Sequence, residues 1–297
     1  MKDLLPEAER FLAVEDAWAD PERSRCVVIP VPYDETTSYG HGAQDGPAAI
    51  LEASHQVEFF DTDLGYEPRG KCGGILTTAP LDVAGLDGAS LAERLEAEAA
   101  GWIAKGKRVV VLGGEHTSGV GAAWASAAAY PGVGVLQLDA HSDLRAEYLG
   151  NPWSHACAMA RVLDRDARLV QVGIRSEAGE ERETVTARGI PVHYAAAIHR
   201  VAASGEDWTG AVVAQLPEHV HITFDCDVFD PAVMPSTGTP EPNGLLWRQV
   251  DALLERVCAE RTVVSVDVTE LAPIPGLSHP QFTVAKLVHR LIGRIFA

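Results

Sequence analysis

The sequence has no CxxC pair. Its five cysteines, Cys26, Cys72, Cys157, Cys226 and Cys258, are an odd number scattered along 297 residues. That pattern favours free thiols in a reducing compartment over a disulfide framework. No apolar run approaches the roughly 20 residues a membrane helix needs. The opening stretch Met1-Lys2-Asp3-Leu4-Leu5-Pro6-Glu7 lacks the long apolar core of a signal peptide, so the cytoplasm is the expected location. Basic residues are scarce: 24 Lys and Arg stand against 42 Asp and Glu, a formal net charge of −18. Such a balance disfavours nucleic acid and anionic membranes as partners, and tolerates a cationic small molecule. There is no repeat, no low-complexity tract and no convincing linker. Hydrophobic residues make up 46% of the chain, enough for a sizeable core.

β-rich apolar runs recur. They predict strands at Cys26–Val31, Gly74–Thr78, Arg108–Leu112, Val133–Asp139, Arg168–Val172, Ile190–His193, His219–Phe224 and Val263–Val268. Several are nearly continuous Val, Ile and Leu, as parallel strands covered on both faces require. Helical segments are expected at Pro47–Phe60, Ser90–Lys105, Ser118–Ala128, Leu245–Glu260 and Gln281–Phe296. Leu253, Leu254 and Val257 form the apolar stripe of the fourth. The alternation predicts an α/β fold, a three-layer α/β/α sandwich with a mostly parallel sheet of about eight strands. Residues 1–23 read as an N-terminal arm and residues 24–297 as a single domain.

In such folds ligands collect beyond the carboxyl ends of the strands. Two strand ends there are rich in acids. Asp139-Ala140-His141-Ser142-Asp143 follows one strand. If strand geometry continues, Asp139, His141 and Asp143 leave on one face. Asp225-Cys226-Asp227 follows another, with Cys226 pointing the opposite way as a packed thiol. Four carboxylates cannot share a small site unless something positive holds them together, and a pair of divalent cations is the simplest solution. His116, in Gly113-Gly114-Glu115-His116-Thr117 after a third strand, would join them. Asp230, just before Pro231, reads as a turn acid. Two residues stay open on chemistry alone. Glu270, three residues after Asp267, is either a site acid re-aimed by a turn or a capping acid. His155 is either an ordinary loop histidine or a proton carrier.

Five ordered motifs together resemble the ureohydrolases, the arginase/agmatinase family. They are Gly113–Thr117, Asp139–Asp143, Ser154-His155, Thr223–Pro231 with Pro235-Ser236-Thr237-Gly238-Thr239, and Asp267–Glu270-Leu271-Ala272-Pro273. The resemblance runs from about Val31, through Tyr33–Tyr39 and Gly46-Pro47, to the C-terminus. It implies two manganese ions per chain. One would be held by His116, Asp139, Asp143 and Asp225. The other would be held by His141, Asp139, Asp225 and Asp227. His155 falls where the family places a proton-shuttling histidine, Glu270 where it places the guanidinium-binding glutamate, and Thr239 in the substrate-binding motif. Asp227 would relay a proton to the leaving amine. A trimer or hexamer is also implied. The ligand set, mostly carboxylate, itself favours manganese over zinc or copper.

Glu115 is a departure, since many members carry Asp there; it is not a ligand position. Leu144–Ser154 does not resemble the hydroxyl- and Asn-rich loop with which arginases bind the amino-acid head of arginine. It looks like the agmatinase branch, as do Asp230–Gly244 and Leu271–Gly276. The expected reaction is therefore hydrolysis of agmatine to putrescine and urea. Guanidinobutyrate is the nearest rival substrate and formiminoglutamate a more distant one. A catalytically silent binding or assembly subunit is the rival from another class.

Overall fold

Strands made almost wholly of Val, Ile and Leu have no polar face to offer water, so helices must cover both sides. The computed structural model, which describes residues 4–297, shows that arrangement. The strands are β1 (Cys26–Val31), β2 (Ile75–Thr77), β3 (Arg108–Gly113), β4 (Val133–Leu138), β5 (Ala167–Val172), β6 (Val192–His193), β7 (His219–Asp225) and β8 (Thr262–Thr269). They form one eight-stranded sheet in the order β2-β1-β3-β8-β7-β4-β5-β6. Every pairing is parallel, so the sheet is wholly rather than mostly parallel. In β1 the side chains alternate between two cores. Cys26 and Val28 enter one, Val27, Ile29 and Val31 the other.

Helices Gly46–Ser54, Ala195–Ser204, Trp247–Glu260 and His279–Ile295 cover the first side, where Ile50, Ile198, Leu253 and Leu287 are buried. Gly88–Ile103 and Val120–Ala129 cover the second, through Leu91, Leu95, Ala122 and Ala125. The first helix stops at Ser54, short of the expected Phe60. There the Ser54 hydroxyl turns back to donate to the Leu51 carbonyl and accepts from the Leu12 N–H at 2.7 Å. That second bond ties the N-terminal arm to the body, and Phe11, Leu12 and Val14 are buried in the first core. Helices Gly179–Arg188 and Ala195–Ser204 were not foreseen. No helix among the described residues is long and apolar enough to cross a membrane.

Strand β8, last in sequence, lies between β3 and β7. The carboxyl ends of β3, β8, β7 and β4 are therefore side by side. These are the four strands after which the acidic and histidine motifs occur.

Candidate active site

Buried backbone turns aim the site residues. Strand β4 ends at Leu138, so Asp139, His141 and Asp143 do not converge by strand alternation as the sequence predicts. The chain turns instead. Asp139 Oδ1 accepts the His141 N–H at 2.6 Å, and Asp143 takes a positive φ of 52°. Two buried amides brace this turn. The Gln137 side chain donates to Asp139 Oδ2 at 2.7 Å and to the His141 carbonyl at 3.0 Å. Gln171, its partner in β5, donates to Gln137 Oε1 and to the Ser142 carbonyl. Asp225 ends β7 and accepts the Asp227 N–H at 2.9 Å through Oδ1. The other end of that turn is pinned to the turn after β4, because Asp227 Oδ1 accepts the Ala140 N–H. Cys226 between them is fully buried in apolar surroundings, and Asp230 caps the turn at Ala232 and Gly244. Glu270, at φ 63°, is re-aimed at the end of β8, and its Oε1 accepts the His116 N–H at 2.7 Å. The Gly114 carbonyl accepts the Glu270 N–H, and the lack of a side chain at Gly114 lets the Tyr33 backbone pack against it, since a Cβ there would overlap the Tyr33 carbonyl oxygen.

Two groups result, and each could hold an ion. His116, Asp139 and Asp225 form one; Asp139, His141 and Asp227 form the other. Asp139 is common to both. Asp143 belongs to neither group, but its Oδ2 is 2.7 Å from His116 Nδ1. That nitrogen also lies 3.1 Å from Asp139 Oδ2 and 3.4 Å from Asp225 Oδ2, yet it has no hydrogen-bond partner.

The far side of the ring explains why. His116 Nε2 is 2.9 Å from Thr223 Oγ1, whose own proton goes to Asp267 Oδ1 at 2.8 Å. The hydroxyl oxygen can then only accept from Nε2–H. The lone pair is left on Nδ1, facing three carboxylates, as a metal ligand requires. The donor set thus fits a pair of oxygen-preferring cations. Thr223 and Asp267 were not foreseen as site residues. Both are polar residues in otherwise apolar strands, and the strand register puts them side by side.

Charge tells the same story. Burial and the neighbouring Asp227 and Asp139 push the Asp225 carboxyl well above the usual carboxylate range. Burial and Asp139 push Asp143 up to about 7. Burial and Glu115 raise Glu270. These groups share one face and ionise together only beside positive charge.

The site opens into a cavity of about 300 Å³, lined in part by His141, Tyr148, His155, Thr239, Glu241 and Glu270. Its rim is acidic. Glu181 caps the Leu144 and Ala178 N–H groups, and Glu177 meets Arg182 and Tyr194. Glu241 has no ion pair among the described residues. Arg145, also on the rim, is bound to Glu180 at 3.0 Å and lies 5.2 Å from the Tyr148 ring centre.

A model of the arginase family matches residues 24–293. The chain belongs to the arginase family. Among its relatives, the N(1)-aminopropylagmatine ureohydrolase of Synechocystis is 38% identical, covering 90% of this chain and 88% of the relative. An enzyme of the same name from Thermus thermophilus is 39% identical, covering 92% and 90%. The crystal structure of the agmatine ureohydrolase of Thermoplasma volcanium superposes with a TM-score of 0.81 at 29% identity, over 92% of this chain and 90% of that one. The chain is a ureohydrolase of the arginase family, and both candidate ligand groups lie at the sheet position just described.

Proposed function

We propose that this ureohydrolase uses two manganese ions to hydrolyse a linear guanidino compound with a cationic tail to urea and an amine. Agmatine, giving putrescine, is the first substrate, and its N(1)-aminopropyl derivative is the extended form. The observation that carries this reading is the pair of ligand groups sharing Asp139 at the end of a cavity with an acidic rim. Relatives named for aminopropylagmatine support the longer tail. In this reading His116, Asp139, Asp143 and Asp225 hold one ion, and His141, Asp139, Asp225 and Asp227 hold the other. A trimer or hexamer in the cytoplasm belongs to the same reading.

A guanidinium is resonance-stabilised and a poor electrophile. Metal ions supply what it needs by lowering the pKa of water from 15.7 to about 7, giving a strong nucleophile at neutral pH. The remaining chemistry belongs to the side chains. Glu270 accepts hydrogen bonds from the guanidinium and orients its carbon; Oε1 already accepts from His116, and Oε2 is free for the substrate. Thr239 lines the path of the chain. Asp227 relays a proton to the nitrogen that leaves as the amine. His155, half-buried in the wall, exchanges protons between the cavity and solvent. Burial holds its pKa down to about 4, so its ring is neutral at pH 7.

Guanidinobutyrate fits less well, because the cation that would meet its carboxylate, Arg145, is already engaged by Glu180. The test is a panel of guanidino compounds assayed for urea release by protein whose manganese content is measured. Two ions per chain with urea from the amine-tailed compounds is the expected result. Two ions per chain with no urea from any compound would make the chain a silent binding subunit.

A further inference from the structure

Glu115 follows β3 and precedes His116, yet its side chain turns away from the metal ligands. It is fully buried, and both its oxygens bind Thr36, with the Thr117 hydroxyl as a further partner. The Thr36 N–H donates to Glu115 Oε2 at 2.6 Å, and the Thr36 hydroxyl donates to Oε1 at 2.7 Å. A hydroxyl has one proton. With that proton on Glu115, Thr36 Oγ1 can only accept from its other neighbours, and both belong to His155. The His155 backbone N–H is 2.8 Å away and ring atom Nδ1 is 3.2 Å away. Ser154 Oγ lies 3.3 Å from the same Nδ1. The ring of Tyr148 meets the imidazole edge-on, centroids 6.2 Å apart. Nε2 makes no hydrogen bond to any described residue, and His155 lines the cavity.

We propose that Glu115 and Thr36 together fix the ring tautomer of His155, keeping the proton on Nδ1 and leaving Nε2 as the proton acceptor. A proton on Nδ1 satisfies Thr36 Oγ1. The opposite tautomer sets the lone pair of Nδ1 against that of Oγ1 at 3.2 Å and blocks Nε2 with a proton. Glu115 and Thr36 are thus positioning residues acting through His155, and the functional part of the inference rests on His155 being the proton carrier. The extra methylene of Glu over Asp has a use here, since it carries the carboxylate out to Thr36.

The tautomer can be read without any substrate. The full chain, with 15N-labelled histidines and loaded with diamagnetic zinc, gives the His155 ring nitrogens by long-range 1H–15N correlation, assigned against His155→Asn. At pH 8 the His155 ring is neutral, since burial holds its pKa down to about 4. The unmodified chain should show Nδ1–H, and so should Thr36→Ser. In Glu115→Gln the amide donates to Thr36 Oγ1 and turns the hydroxyl proton toward Nδ1, so the ring should switch to Nε2–H. Thr36→Val should lose the strong preference. With manganese, Glu115→Gln should lower kcat at least about tenfold while KM and metal content hold. Nε2–H in the unmodified chain, or a ring unmoved by both Glu115→Gln and Thr36→Val, overturns the proposal. A switched tautomer with unchanged kcat overturns its functional half. Failure of every guanidino compound to release urea would overturn the proposed function and leave the ring assignment standing.

Discussion

In the proposed reading, substrate choice falls to the rim, and its size can be worked from the side chains there. Arginine differs from agmatine by one carboxylate at the far end. In this cavity that carboxylate would meet Glu177, Glu181 and Glu241, while Arg145 is held by Glu180. Glu177 is balanced by Arg182 and Glu181 by backbone N–H groups, whereas Glu241 makes no ion pair among the described residues and feels only the more distant charge of Arg175. Two like charges about 6 Å apart repel by roughly 2.8 kcal/mol at an effective dielectric of about 20. That is roughly a hundredfold in kcat/KM. Agmatine should exceed arginine by about that factor in side-by-side urea assays at equal manganese. Solvent at the rim weakens the share due to Glu241 alone. Glu241→Gln should therefore reduce the preference by about tenfold, by relieving the repulsion on the arginine carboxylate. Arginine turned over as well as agmatine would refute the reasoning. So would a preference that Glu241→Gln leaves intact.

Asp225→Asn should lose metal and activity together, as elemental analysis beside a urea assay would show; full turnover in verified metal-free protein would contradict the metal reading. His155→Asn lies outside the ligand groups, so it should keep two ions per chain while kcat falls about a hundredfold, the usual scale for an acid–base group. Asp61 is fully buried against Lys286 and Arg290, and these cations overcome the effect of burial to hold its carboxyl well below the usual range. A depressed folded pKa contributes stability above the unfolded value of about 3.9 that fades as pH falls below it. Asp61→Asn should accordingly cost about 3–5 kcal/mol in urea unfolding at pH 7, with a smaller difference near pH 3. An equal cost at both values would show that packing, not charge, is what Asp61 supplies.

The sheet was legible because each strand is a short Val- and Ile-rich run bounded by turn residues. The edge strand Val192–His193 is the shortest and the least well bounded in advance. Helix Gly179–Arg188 was missed for a physical reason: Gly-Glu-Glu-Arg-Glu-Thr-Val-Thr-Ala-Arg carries too few apolar residues to show a face. The residues of the candidate site could be named, but the way they converge could not. Alternation along an extended chain was the argument for Asp143, which instead reaches the site through a left-handed backbone conformation; for Glu270 a re-aiming turn was one of two open readings, and its φ of 63° is that turn. The braces were hidden too. Thr223 meets Asp267, and Gln137 meets Gln171, only once strands distant in sequence are in register.

The insertion of β8 between β3 and β7 bears on how the chain is made. Until residues 262–269 leave the ribosome, the sheet exists at most as two pieces, β2-β1-β3 and β7-β4-β5-β6. Each has a bare inner edge with unpaired N–H and C=O groups along a hydrophobic strand. The nascent chain therefore carries both sticky edges from the completion of β7 until β8 emerges, and β8 is the strand that seals both. Truncation anywhere before Thr262 should yield aggregating protein rather than a smaller soluble domain, and holdase chaperones should bind the stalled chain most strongly just before that strand emerges.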